Sequence, residues 1–134
     1  MDTPEMQNLL HEPHVAVLAI ERATKPPLMV PMWYGVEQSG NIFFCTEEET
    51  LKTRLIRRTG RVSFLVQRTT MPYSYVGIEG AVTERPASAD DVRSVSARYL
   101  DPATLDAYVS TVNIGRTIRF DLTPTKVRAV DLSS

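Results

Sequence analysis

The sequence predicts a mainly β domain, an antiparallel barrel of six or seven strands with short peripheral helices. Three observations carry that expectation. Runs of β-branched and aromatic residues recur along the whole chain, most are joined by hairpin-length turns, and the helical patterns between them are short. With 134 residues, 43% of them hydrophobic, the chain suffices for a single domain, 1–134, around one core.

At the N-terminus, Thr3-Pro4 followed by Glu5, with Met6, Leu9 and Leu10 at helical spacing, marks a short helix ending near Pro13. HVAVLAIE (14–21) is apolar on both faces, as a strand inside a barrel would be. ATKPP is a turn, after which LMVPMWYGVE (28–37) returns as a strand containing Pro31. The nitrogen of Pro31 cannot donate to a sheet ladder, so it must face an edge, a bulge or a cleft. Gln38-Ser39-Gly40-Asn41 has turn chemistry, so this run and NIFFCT are expected to form an antiparallel hairpin. The following helix is expected to have Glu47, Glu48 and Glu49 crowding its start and Arg57 and Arg58 its end, the order that the helix dipole favours, with Gly60 closing it.

RVSFLVQR alternates Val62, Phe64 and Val66 as a strand, and 73–85 forms a longer one whose two glycines imply a bend or a close approach. Ser88 with Asp91 is a capping-box variant, followed by Val92, Val95 and Tyr99 at helical spacing. Asp101-Pro102 starts a second helix bearing Leu105, Tyr108, Val109 and Val112. TIRFDL alternates Ile118, Phe120 and Leu122. Pro124 then marks a tight turn, and KVRAVDL is the closing strand. No internal repeat, low-complexity stretch or linker interrupts the pattern.

Composition excludes several function classes. Lys and Arg total 15 against 16 Asp and Glu, so nothing in the net charge of -1 draws the chain to nucleic acid or an anionic membrane. Val15 to Ile20 is too short an apolar run to cross a bilayer, and MDTPEM lacks the basic region of a signal peptide; a soluble, cytoplasmic protein is expected. Cys45 is the single cysteine, which rules out an intrachain disulfide and a Cys-rich zinc site. With His11 and His14 the only histidines, beside a proline turn, no metal site is expected. No G-x-S-x-G elbow, Walker loop or G-x-G-x-x-G is present, and Cys45 within IFFCT reads as a buried strand residue. Trp33, Tyr73 and Tyr75 lack the basic face that base stacking would need. No catalytic side chain is assigned.

The strongest chemical signal is TEEETLKTRLIRRTGRV. Lys52, Arg54, Arg57, Arg58 and Arg61 place five cations in this segment. A solvated helix face gives the same pattern. Position adds something: Thr46 ends a strand, and Thr50 and Lys52 fall in the first helical turn, so hydroxyls, backbone N–H groups and one ammonium can converge on a phosphate. Arg54, about 200° further around the helix, cannot serve the same anion unless the helix begins late.

The succession LMVPMWY, IFFCT, TLKTRLIRRTGRV and PYSYVGIEGAV resembles the pyridoxamine 5'-phosphate oxidase-like split-barrel family, especially its small actinobacterial branch, which uses a deazaflavin (coenzyme F-420) or FMN. The resemblance runs from Leu9 to Glu84, and DLTPTKVRAVD also fits. Thr46, Lys52, Arg61 and Val62 reproduce the family's register of a strand-ending Thr, a Lys six residues on and an Arg-Val opening the next strand. Leu51-Lys52 stands where the oxidases proper carry Arg-Lys, and 28–33 replaces an Arg-led, Lys-ended segment, so oxidation of pyridoxamine phosphate itself is not implied. What the resemblance implies is a split barrel that binds the phosphate end of the cofactor at Thr46, Thr50 and Lys52 and its ring along Val30, Pro31, Met32 and Trp33. It further implies a homodimer with cofactor sites at the interface, where Tyr73, Tyr75 or the 88–112 helices contact the partner's site. One small barrel has little room for an enclosed cofactor, whereas a groove between two copies supplies walls from both. The implied activity is hydride transfer between bound deazaflavin or FMN and a small conjugated substrate. The alternative is a non-catalytic flavin-binding or sequestering protein. A haem-handling split barrel would have only His11, His14, Cys45 and methionines as axial candidates.

Overall fold

A computed structural model of the chain describes residues 3–131. In chain order the elements are α1 (Pro4–His11), β1 (Ala16–Ile20), β2 (Leu28–Met32), β3 (Gly35–Val36), β4 (Ile42–Glu47), α2 (Leu51–Thr59), β5 (Arg61–Arg68), β6 (Ser74–Pro86), α3 (Ala89–Ser96), α4 (Pro102–Thr111) and β7 (Thr117–Asp131). The seven strands form one antiparallel sheet in the order β2-β1-β5-β6-β7-β4-β3.

That order dictates the shape. β2 and β3 are the two outermost strands, yet only Trp33 and Tyr34 separate them in the chain. A two-residue link spans at most about 11 Å between its flanking Cα atoms, whereas seven flat strands would be roughly 29 Å wide. The sheet must therefore curl until its edges approach, giving a half-barrel with a seam at Trp33-Tyr34. Its core takes the inward rows expected from alternation, Val62, Phe64 and Val66 and Ile118, Phe120 and Leu122, and adds Val76 and Ile78 of β6, with Met6, Leu9 and Leu10 of α1 packed into the same cluster. Phe44 sits between Phe64 and Phe120, at ring separations of 6.1 and 5.5 Å.

Three expectations are corrected. The run 28–37 is not one hairpin arm. Leu28–Met32 pairs with β1, and only Gly35–Val36 pairs with Ile42–Phe43. The break arises because Tyr34 is drawn fully into the core, where its hydroxyl donates to the Leu10 carbonyl at 2.8 Å and its ring meets Phe64 edge-on. Pro31 consequently lies on an edge strand, opposite Val17, where one side of the ladder needs no donor.

Second, α2 starts later than expected, with Thr50 as its N-cap; no acidic residue occupies its first turn, and Glu47–Glu49 lie ahead of it. Thr53 Oγ1 donates to the Glu47 carbonyl at 2.6 Å, so capping chemistry rather than dipole charge sets this boundary. Gly60 closes the helix at φ +71°, as expected.

Third, Pro124 makes no turn. β7 runs unbroken from Thr117 to Asp131, and the register with β6 shifts from Glu79↔Lys126 to Gly80↔Pro124. Thr125 is the extra residue of a bulge, its hydroxyl donating to the Glu79 carbonyl at 3.0 Å.

β6 and β7 are direct neighbours, and the 87–116 segment between them leaves and re-enters the sheet at adjacent points, closed by the Ala87 amide donating to the Thr117 carbonyl at 3.1 Å. Its first helix, α3, begins in the expected Ser88–Asp91 capping box and buries Val92 and Val95. A buried guanidinium anchors it: Arg119 of β7, 4% exposed, donates to Asp91 at 2.8 Å, to Asp121 at 2.7 Å and to Glu37, and lies 3.7 Å above the Phe43 ring. α4 differs. The apolar spacing there does form a helix, yet none of its ten residues is buried. Among the described residues no helix is long and apolar enough to cross a membrane.

Candidate functional site

Successive side chains of an extended link point opposite ways. Tyr34 enters the core, and Trp33, its neighbour, faces a cavity of about 530 Å³ beside the seam. Pro31, Met32 and Trp33 form one wall. Cys45, Thr46 and Glu47 at the end of β4 form another, together with Lys52 of α2 and Thr117. The remaining wall comes from the 87–116 excursion, with Val92 and Val95 of α3 and Tyr108 and Val112 at α4. Five of the seven residues expected to hold a cofactor are thus brought together. Val30 packs against the core instead, and Thr50 is engaged as the α2 N-cap, accepting from the Thr53 amide at 3.3 Å; neither lines this cavity.

The polar end of the cavity has two notable groups. Thr46 is 6% exposed and its Oγ1 has no hydrogen-bond partner among the described residues. An orphaned buried hydroxyl costs about 1–3 kcal/mol, a cost that a ligand oxygen would remove. Lys52 is the second residue of α2, half-buried, and no carboxylate pairs with it among the described residues. Of the neighbouring cations, Arg57 is matched with Glu84 at 2.9 Å and Arg61 with Glu21, while Arg54 and Arg58 are exposed and do not line the cavity. The first-turn amides of α2 add the partial positive charge of a helix start.

Cys45 lines the same cavity opposite Arg119 in the β4–β7 ladder. Burial pushes its thiol up to about 12, and the Asp91 charge adds to the effect. The folded protein therefore holds the proton more tightly than the unfolded chain, so this group's contribution to stability is intact below the unfolded value and is lost as pH rises toward 12. Since the thiolate is the reactive species, alkylation of Cys45 by iodoacetamide at pH 8 is expected to run at least about a hundredfold slower in the native protein than in urea. Mass spectrometry of timed samples reads this directly, and equal rates would contradict the burial. Among the described residues no group of three or more His, Cys, Asp and Glu could hold a metal ion.

The resemblance set the 88–112 helices against a partner's site, and nothing in their sequence marked them as walls of this chain's own cavity. Val92, Val95, Tyr108 and Val112 carry only the apolar spacing of ordinary helices, and the cavity exists only because their segment folds back over the seam. Trp33 records that approach: it stacks on Tyr99 at 4.8 Å and 12°, and meets Tyr108 at 5.7 Å and 47°.

The family profile described as pyridoxamine 5'-phosphate oxidase matches residues 2–131. No curated protein matches by sequence. Solved structures share the fold. The conserved hypothetical protein Rv2991 from Mycobacterium tuberculosis superimposes with a TM-score of 0.81 at 22% identity, covering 98% of this chain and 86% of that one. An F-420 reductase gives 0.68 at 19% identity, over 91% and 94% of the two chains. A FAD-binding protein from Mesorhizobium loti gives 0.68 at 16% identity, over 96% and 94%.

Proposed function

Because the chain belongs to the pyridoxamine 5'-phosphate oxidase family, we propose that it is an oxidoreductase that binds FMN or the deazaflavin coenzyme F-420 in the cavity beside Trp33 and acts on a small conjugated substrate. The observation that carries this reading is the buried hydroxyl of Thr46, unpartnered among the described residues, lining the same space as the Lys52 ammonium, which no carboxylate of the described residues pairs. The donor set fits a phosphate: one hydroxyl, one ammonium and the free amides of a helix start. The structural neighbours described as an F-420 reductase and a FAD-binding protein support a flavin-type group.

When bound, such a cofactor supplies hydride transfer. The chain's own residues do the rest. Lys52 and Thr46 hold the phosphate end. Pro31, Met32 and Trp33 offer an apolar wall against which a flat ring can lie, and Val92 and Val95 keep water from it. The apolar walls carry no carboxylate or imidazole, which suits a reaction whose electronics reside in the cofactor better than it suits hydrolysis.

We extend the proposal to a homodimer with sites shared between copies. Val15 and Met29, 50% and 66% exposed on the β1–β2 side, are apolar surface that a second copy can cover, and Val15 also borders the cavity.

The test is a titration of FMN and of F-420 into ligand-free protein, followed by absorbance and by sedimentation. Saturable binding of one of them, one per chain, is the expected result, with turnover on a panel of enones. Binding without turnover would select the sequestering alternative, and no binding of either would overturn the reading. A monomeric mass would remove the shared-site part.

A further inference from the structure

The cavity is divided by charge. Its charged side chains, Glu47 and Lys52, lie with Thr46 and Thr117 where β4 and β7 meet the start of α2. The walls contributed by Trp33, α3 and α4 carry no charge: they present Val92, Val95 and Val112, and of the two α4 hydroxyls in the lining, that of Thr111 is turned back to the Tyr108 carbonyl at 2.7 Å.

Within that neutral half the two aromatic residues are held differently. Trp33 is fixed. One face of its indole is covered by Tyr99, whose own hydroxyl donates to the His14 carbonyl at 2.9 Å. Tyr108 is 40% exposed on a helix that buries nothing, its ring set obliquely to the indole. Its phenolic hydroxyl has no hydrogen-bond partner among the described residues. A phenol committed to no acceptor among the described residues, beside a rigid aromatic platform and walled by valines, defines what can bind. The ligand must be flat enough to pack beside the Tyr108 ring, next to the cofactor ring that Trp33 backs, and must carry an acceptor for the phenol. It must also be uncharged, because this half of the lining offers neither a cation nor a carboxylate to pair with a charge once Lys52 is engaged by a phosphate.

We propose that this half of the cavity is the substrate subsite, that the substrate is an uncharged planar molecule bearing a carbonyl-type acceptor, and that Tyr108 determines its selection by packing beside it and donating to that acceptor. The assignment rests on the cofactor reading for the other half of the cavity. It commits Tyr108 to binding and orientation.

Two probes with one bicyclic frame test it: 2-naphthamide, neutral, and 2-naphthoate, an anion at pH 7. Their affinities for FMN-saturated protein are measured by saturation-transfer NMR. The amide is expected to bind about tenfold or more tightly than the acid. Tyr108→Phe, which keeps the ring, is expected to weaken the amide about fivefold, and Tyr108→Ala to weaken it further, while FMN affinity stays within about twofold in both. Because α4 buries no side chain, both variants are expected to fold, which thermal melting checks. Equal affinities for amide and acid, no amide binding, an amide affinity indifferent to Tyr108→Phe, or displacement of FMN by the amide would each overturn the assignment. If FMN does not bind, F-420-saturated protein takes its place in the comparison, and if neither binds, the cofactor reading falls. The amide affinities of ligand-free wild type and Tyr108→Phe then decide the subsite separately, the same loss supporting it and no loss overturning it.

Discussion

Lys52→Ala is expected to weaken FMN binding by about 1.5–3 kcal/mol, roughly ten- to more than a hundredfold, while leaving the melting temperature within about 2 °C of the wild type. The magnitude follows from the surroundings of the ammonium. It is half-buried, and no carboxylate among the described residues competes for it, so a phosphate would receive a charge-assisted bond at little loss elsewhere. The fold is spared because the side chain lies outside the hydrophobic core and α2 is capped by Thr50 and Gly60. Arg58→Ala is the control. It is exposed on the same helix and outside the cavity, and should leave affinity unchanged. The loss at Lys52 should also shrink as salt is raised, since a partly exposed charge is screened. Calorimetric titration at two ionic strengths provides the measurement; an unaltered affinity for Lys52→Ala would return the residue to the solvated helix face that the sequence pattern also describes.

Gly80→Ala is expected to destabilise the protein by about 3 kcal/mol, lowering the melting temperature by roughly 10 °C. A Cβ at this position would stand 2.4 Å from the Thr123 carbonyl oxygen and 2.8 Å from Leu122 Cδ1. The leucine can rotate away, but the oxygen is backbone, within the longest ladder of the sheet and next to the bulge that accommodates Pro124. Gly77→Ala is the matched control on the same strand, since its nearest neighbour would be the Arg128 carbonyl at 4.0 Å. That variant should melt within about 2 °C of wild type. Similar melting of the two variants would mean that the close approach at Gly80 does not constrain the ladder.

What the sequence revealed follows the range over which each signal acts. α1, α3 and α4 were legible because their caps lie within three residues of the groups they satisfy. β5 was legible because Val62, Phe64 and Val66 alternate on one buried face. Pro124 misled because its local meaning is a turn, whereas its actual place depends on Gly80, more than forty residues away. The 28–37 run misled for a similar reason: β2 pairs with β1, and what breaks the strand is the pull of Leu10 on the Tyr34 hydroxyl. For the site, Thr46, Lys52 and 31–33 were readable because a strand end, a helix start and a proline-bearing edge each leave a local mark. The α3 and α4 walls left none, since their role arises only from where the segment folds back.

The attachment of the 87–116 segment also has a consequence for how such a protein can change over generations. Its two ends leave and rejoin adjacent rungs of one continuous ladder, and α4 within it buries no side chain, so the composition of α4 can drift while every strand pairing persists, whereas α3 stays tied by Asp91 to Arg119 and by its buried valines. The barrel with α3 then acts as an inherited chassis, and α4, which borders the pocket through Tyr108 and Thr111 without entering the core, is where selection can alter the chemistry at the least structural cost.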